Sequence, residues 1–408
     1  MNNLFRILLI SIAFLTSCST LKTANIITKG AVEQKAFKVE IPFEFRLGLI
    51  VLKVSINGNE YDFLLDTGAP NVISTELAHT LNLENKISHK VGDSQGKNSE
   101  LEFATIENIS IAGINFLNTG AAISDLKKTK EIACLKVDGL LGANLMKNAI
   151  WKFDYENKLI TITSSMDSLK SYNQAQKIPF STKITGTPVV DVKLNDEIEK
   201  GIIVDLGSNG HISLSNTSFD KLIKNNPSVL QTTSFGNSTA GLYGYGDFDT
   251  THYAIVPKIS FGDVVLENTL VDFSKNSART IGTKFFKNYD VIINWFDAEI
   301  SLIEHEKYNH SELSSFGFSV SNNNDTLIVG TIFNNSSAFQ AGLKVNDVIL
   351  SIDDKEYGKI EPEEWCEIVE NGIFDETQNQ TTITILRDNQ ELKFDLTKTV
   401  LLPLEGKE

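Results

Sequence analysis

From about residue 39 to residue 304 the chain alternates short apolar runs with turns rich in Gly, Asn and Asp, a pattern that predicts many short strands and little helix. Ile259-Ser260-Phe261 and Val291-Ile292-Ile293-Asn294-Trp295 are examples. Two runs end alike. Tyr61-Asp62-Phe63-Leu64-Leu65 leads into Asp66-Thr67-Gly68-Ala69, and Gly201-Ile202-Ile203-Val204 leads into Asp205-Leu206-Gly207-Ser208. Flanking segments repeat in the same order: Leu52 to Asn57 resembles Val190 to Asn195, and Leu141 to Asn148 resembles Ile281 to Asn288. The offset is nearly constant at about 140 residues, as an internal duplication requires. The polar stretch Ser164 to Ser168 reads as the connection between the halves.

The last hundred residues change style. Glu361 to Glu370 carries good helix formers after Pro362, which predicts a helix. The runs Thr382 to Leu386 and Leu392 to Leu396 predict a strand pair, with Arg387-Asp388-Asn389-Gln390 turning between them.

Two acidic loops at matching places carry a specific chemistry. Carboxyl groups held close together do not both ionise readily, so one keeps a proton while the other stays charged. The charged member takes a proton from an attacking water, and the protonated member hydrogen-bonds the carbonyl under attack. Gly68 and Gly207 permit the close backbone approach this needs.

These motifs resemble those of the aspartic proteases, in the retropepsin-like branch found in bacteria, over roughly residues 39 to 304. Leu140-Leu141-Gly142 fits the family's downstream segment of two apolar residues and Gly, and Thr280-Ile281-Gly282 half fits. The resemblance implies a mostly β, bilobal fold of pepsin- or retropepsin-like β-barrel lobes, with Asp66 and Asp205 as the catalytic pair. Because both lobes lie in one chain, a monomer is expected to form the dyad. In the family a Thr or Ser after each aspartate bonds across to the opposite loop; Thr67 can do so, and Leu206 cannot. A hydroxyl on Ser208, where the first loop has Ala69, predicts Asp205 as the more acidic member. Expected flaps are Val91 to Lys97, including Gly92 and Gly96, and the Gly-rich stretch containing Gly241, Tyr243, Gly244 and Tyr245.

Residues Ser337 to Asp353 resemble the core of bacterial PDZ domains, and Ser315-Phe316-Gly317-Phe318 is similar to that family's carboxylate-binding loop. The resemblance implies an α+β domain that adds an extended peptide to a sheet edge beside the predicted helix. Phe316, Gly317 and Phe318 are its expected peptide-binding residues.

Composition adjusts this picture only at the margins. A formal charge of −15, with no long basic run, gives no support to a nucleic-acid partner. The six histidines are scattered without ligand spacing, so neither metal nor cofactor is implied. Cysteines stand only at 18, 134 and 366, which does not indicate a disulfide framework. Arg6 precedes an apolar stretch from Ile7 to Leu15 that suits a signal peptide. Leu15-Thr16-Ser17-Cys18 resembles a bacterial lipobox, which implies acylation of Cys18 and attachment to the cell envelope, with the outer membrane favoured by Ser19. The expected organisation is therefore a signal peptide (1–17), a tether (18–38), two protease lobes (39–165 and 166–304) and a PDZ domain (311–400). Retention of both aspartates favours an endopeptidase acting on polypeptide, with the PDZ domain taking substrate or partner C-termini. Leu206 is the feature that favours a catalytically degenerate, peptide-holding lipoprotein.

Overall fold

The computed structural model describes residues 22–84, 86–92, 98–169, 174–237, 240–275, 278–306, 312–375 and 377–403. In the first half, strand Leu49–Ile56 pairs antiparallel with Asn59–Asp66 across a turn in which Asn57 and Gly58 take positive φ, the geometry that matches strand twist in two-residue hairpins. Asn59–Asp66 then runs parallel to Gly139–Gly142, with Leu65 beside Leu141 and Asp66 beside Gly142. Phe63 and Leu65 are fully buried, so the acidic loop hangs from a strand fixed by its own core. The second half repeats this construction. Strand Pro188–Leu194 pairs with Glu197–Val204, and Val204 lies parallel beside Ile281.

The halves meet in a six-stranded sheet at whose centre Ile150–Asp154 and Tyr289–Asn294 pair antiparallel, Trp151 opposite Ile293. Trp151, Phe153, Val291 and Ile293 join one apolar core that also holds Leu65 and Val204. The two lobes are thus packed as one unit.

The C-terminal domain has a separate core that includes Phe318, Leu327, Val329, Ile349, Trp365 and Ile383. The helix Pro362–Asn371 starts at Pro362, where the missing N–H of proline costs nothing. Strands Gln380–Arg387 and Gln390–Thr397 pair around Asp388 and Asn389, both at positive φ. This domain is also joined to both lobes. Gln231–Gly236 of the second lobe pairs antiparallel with Thr326–Phe333, Phe235 opposite Ile332, so one sheet continues from lobe to domain. A disulfide joins Cys134, in the first-lobe helix Lys130–Cys134, to Cys366 on Pro362–Asn371.

Two sequence expectations change here. The sparse cysteines do form a pair, because folding brings together two helices that sequence separates by 232 residues. The stretch expected to be a tether is docked over much of its length: residues 22–28 are helical, Ala31–Val32 pairs with Phe116 and Leu117, and Ile26 and Ile27 pack on the first lobe. Those two isoleucines gain more by burial than a free linker allows. Cys18 and the residues expected to form a signal peptide lie outside the described residues.

Candidate active site and peptide groove

The two acidic loops face each other at the ends of their buried strands. A Cβ on Gly68 would stand 2.7 Å from the Asp205 carboxyl carbon, and one on Gly207 would stand 2.5 Å from that of Asp66. Only glycine fits at either place, since each loop lies directly against the other's carboxyl group. The carboxyl groups of Asp66 and Asp205 are thereby brought together and interact directly.

Their surroundings are unequal. Asp66 Oδ1 accepts the amides of Gly68 (2.8 Å) and Ala69 (3.0 Å), whereas Asp205 Oδ1 accepts that of Gly207 (2.9 Å). Burial raises the pKa of both groups, and the two amides partly offset this for Asp66. Burial and then the Asp66 charge push Asp205 well above the usual carboxylate range. Two amides against one favour the charge on Asp66 and the proton on Asp205. The Ser208 bond on which the sequence expectation for Asp205 rested is not formed. The Ser208 hydroxyl oxygen accepts the Gly210 amide (3.4 Å) and makes no bond to the Asp205 carboxylate.

Thr67 ties the loops together. Its buried hydroxyl donates to the Val204 carbonyl (2.6 Å) and accepts the Leu206 amide (2.9 Å). Leu206 is fully buried and supplies no reciprocal hydroxyl; it packs in the shared core instead. Further cross-lobe bonds act in pairs: Thr187 donates to the Gly68 carbonyl (3.3 Å), and Thr283 donates to that of Gly48 (3.2 Å). Asn71 and Asn144, which sequence reasoning passed over, are fully buried behind the first loop. Asn71 accepts the Gly142 amide (2.6 Å), and Asn144 accepts that of Asn71 (2.8 Å). The signal for them was their place in the repeat, where the second lobe has Gly210 and Lys284.

The flap expectations divide. Strands Ile87–Gly92 and Asn98–Ile111 form a hairpin with Gly92 opposite Asn98, but its tip, including Gly96, lies outside the described residues. The second stretch is a small hairpin, Ala240–Gly241 with Gly244–Tyr245. It is docked at both ends: Leu242 and Tyr243 pack on the first lobe, and the Tyr245 hydroxyl donates to Glu131.

In the C-terminal domain, strand Phe318–Asn323 pairs with Thr326–Phe333, and its other edge belongs to no ladder among the described residues. Gly317, at positive φ, brings the loop against Ser336, and its amide bonds the Ser315 hydroxyl (3.0 Å). The Phe374 ring packs on Phe316 and Phe318, with centroids 4.7 and 5.5 Å away.

Comparison with known proteins agrees with this division. Residues 52–145 match the family model described as aspartyl protease, which spans the Asp66 loop through Leu145, and residues 314–397 match that of the PDZ domain. No curated protein matches the chain. The chain carries an aspartyl protease domain followed by a C-terminal PDZ domain.

Proposed function

We propose that the protein is an aspartic endopeptidase that hydrolyses extended polypeptide through the Asp66/Asp205 pair and an activated water, with its PDZ domain taking substrate or partner C-termini. The observation that carries this reading is the close approach of two buried acidic loops, each glycine turn lying against the other's carboxyl group, with unequal amide surroundings. Asp66, held charged by two amides, accepts the water's proton. Asp205, kept protonated by burial and by its neighbour's charge, donates to the substrate carbonyl oxygen. The fully buried Leu206, with no cross-loop hydroxyl, favours the second reading, a catalytically silent peptide holder. Incubating the protein, from residue 19 onwards, with a diverse peptide mixture across pH and sequencing the products decides between them. Cleavage is expected to rise and fall with pH as a pair titrates. Asp66→Asn and Asp205→Asn are each expected to remove most of it with the fold intact, and undiminished cleavage by either folded variant refutes the dyad.

We further propose that Cys18 is acylated and fixes the protein to the cell envelope, at the outer membrane. The lipobox-like Leu15-Thr16-Ser17-Cys18 supports this, and two or more acyl chains suffice for stable anchoring. Cys18→Ala is expected to release the protein from the membrane fraction or block its maturation. Fatty-acid labelling that persists in the variant places the modification elsewhere.

A further inference from the structure

The PDZ resemblance puts the peptide groove between strand Phe318–Asn323 and helix Pro362–Asn371, whose Phe318 and Trp365 share one core. The Gly317 carbonyl accepts the Phe333 amide (2.9 Å), so it faces Thr326–Phe333. Backbone groups alternate along a strand, and Phe318, Val320 and Asn322 therefore turn theirs to the open edge. A peptide whose carboxylate sits at Ser315 to Phe318 runs antiparallel along this edge and meets Phe318, then Val320, then Asn322.

The Asn322 end is already occupied by the protease lobes. The Tyr245 phenol lies against the Asn322 backbone amide and the Ser321 hydroxyl. It donates to Glu131 Oε1, which also accepts Trp365 Nε1 from the groove helix (3.1 Å). Lys130 bonds the Asn322 side chain (2.7 Å) and Asp325 (2.6 Å). Thr129 donates to the Gly241 carbonyl (3.1 Å). Hairpin 240–245 and helix Lys130–Cys134 together form a stopper between the groove's two walls. Glu131 Oε2 is buried there without a partner, an acceptor that an entering peptide amide can satisfy. The hairpin's tip reaches the catalytic lobe. Leu242 and Tyr243 pack on the apolar patch containing Leu64 and Leu140, a parallel pair two residues before Asp66 and Gly142.

We propose that hairpin 240–245 and the N-terminal part of a PDZ-bound peptide compete for the Asn322 end of the groove, so that a free-acid peptide longer than about four residues displaces the hairpin and lifts Leu242 and Tyr243 from the wall beside Asp66. The inference rests on the groove's being a carboxylate-first peptide site. Short C-termini then bind without consequence for the protease lobes, and longer ones unlock them.

The test uses the chain from residue 19 onwards, as wild type, Tyr245→Ala and Tyr245→Phe. Each is titrated with a pool of acetylated free-acid octapeptides ending in Val, Leu, Ile or Phe, with the matching tetrapeptides, and with the octapeptide amides. Amide hydrogen exchange over residues 240–245 is followed in parallel. Octapeptides are expected to speed exchange there and tetrapeptides to leave it unchanged. Tyr245→Ala is expected to tighten octapeptide binding about tenfold, equivalent to about 1.4 kcal/mol, with tetrapeptide binding constant within about twofold. Tyr245→Phe, which keeps the ring, is expected to move affinity in the same direction. Octapeptide affinity equal in all three proteins, or unaltered exchange, overturns the competition while leaving the groove reading in place. Equal binding of acids and amides, or no binding to any of the three, overturns the groove reading and this inference with it.

Discussion

Thr67 joins the loops at one atom: its hydroxyl satisfies a carbonyl and an amide of the opposite lobe, Val204 and Leu206. Thr67→Val keeps the shape and leaves both groups buried and unpaired, a loss of about 1–3 kcal/mol. The urea midpoint is expected to fall accordingly, with a larger proportional loss of peptidase activity because the carboxyl pair loosens. Asp272 provides a second test. It accepts the Ser213 hydroxyl (3.0 Å), yet burial raises its pKa to about 6. A carboxyl with a raised folded pKa binds its proton more tightly when folded, so stability falls as pH rises from the unfolded value near 4 through about 6. Asp272→Asn is therefore expected to flatten the stability profile between about pH 4 and 6 and to stabilise the protein at pH 7 by roughly 1–2 kcal/mol, allowing for partial solvent access. Thermal unfolding of both proteins across that range checks the sign. Asp66 and Asp205 were legible in the sequence because residue type and turn chemistry mark them. The unequal number of amides facing them was not, since amide directions are not encoded in a side-chain alphabet.

Among the elements, the strands and the PDZ helix could be read from periodicity and from Pro362, whereas the disulfide could not. Its one sequence signal is parity: if Cys18 is acylated, two cysteines remain in an exported chain. The helices that carry them, Lys130–Cys134 and Pro362–Asn371, belong to different domains, and the cysteines stand 232 residues apart in sequence. Cys134→Ser is expected to cost about 2–4 kcal/mol. Calorimetry should show the loss as an earlier, partly separate transition of the PDZ domain. A single transition unchanged in position would mean that the ladder from Gln231–Gly236 to Thr326–Phe333 holds the domain unaided. The docking of hairpin 240–245 was also hidden, because its glycines and tyrosines read equally well as a free tip.

At the scale of the whole molecule, duplication predicts a self-sufficient active unit. Activity per molecule is expected to be independent of protein concentration, and light scattering should give one chain at the concentrations assayed; activity that disappears on dilution would place the second half of the site in another copy. The repeat made this much legible. The PDZ attachment has no counterpart in the repeat, so no pattern announced it. Its geometry closes a circuit: first lobe to second through the six-stranded sheet, second lobe to PDZ domain through the shared ladder, and PDZ domain back to the first lobe through Cys134 and Cys366. A closed frame resists shear in a way that two jaws on one hinge do not. If the chain cuts peptide bonds as proposed, lobes braced in this way gape poorly around a bulky folded target, and the expected substrate is slack, single-file chain such as a terminus or an unravelled loop.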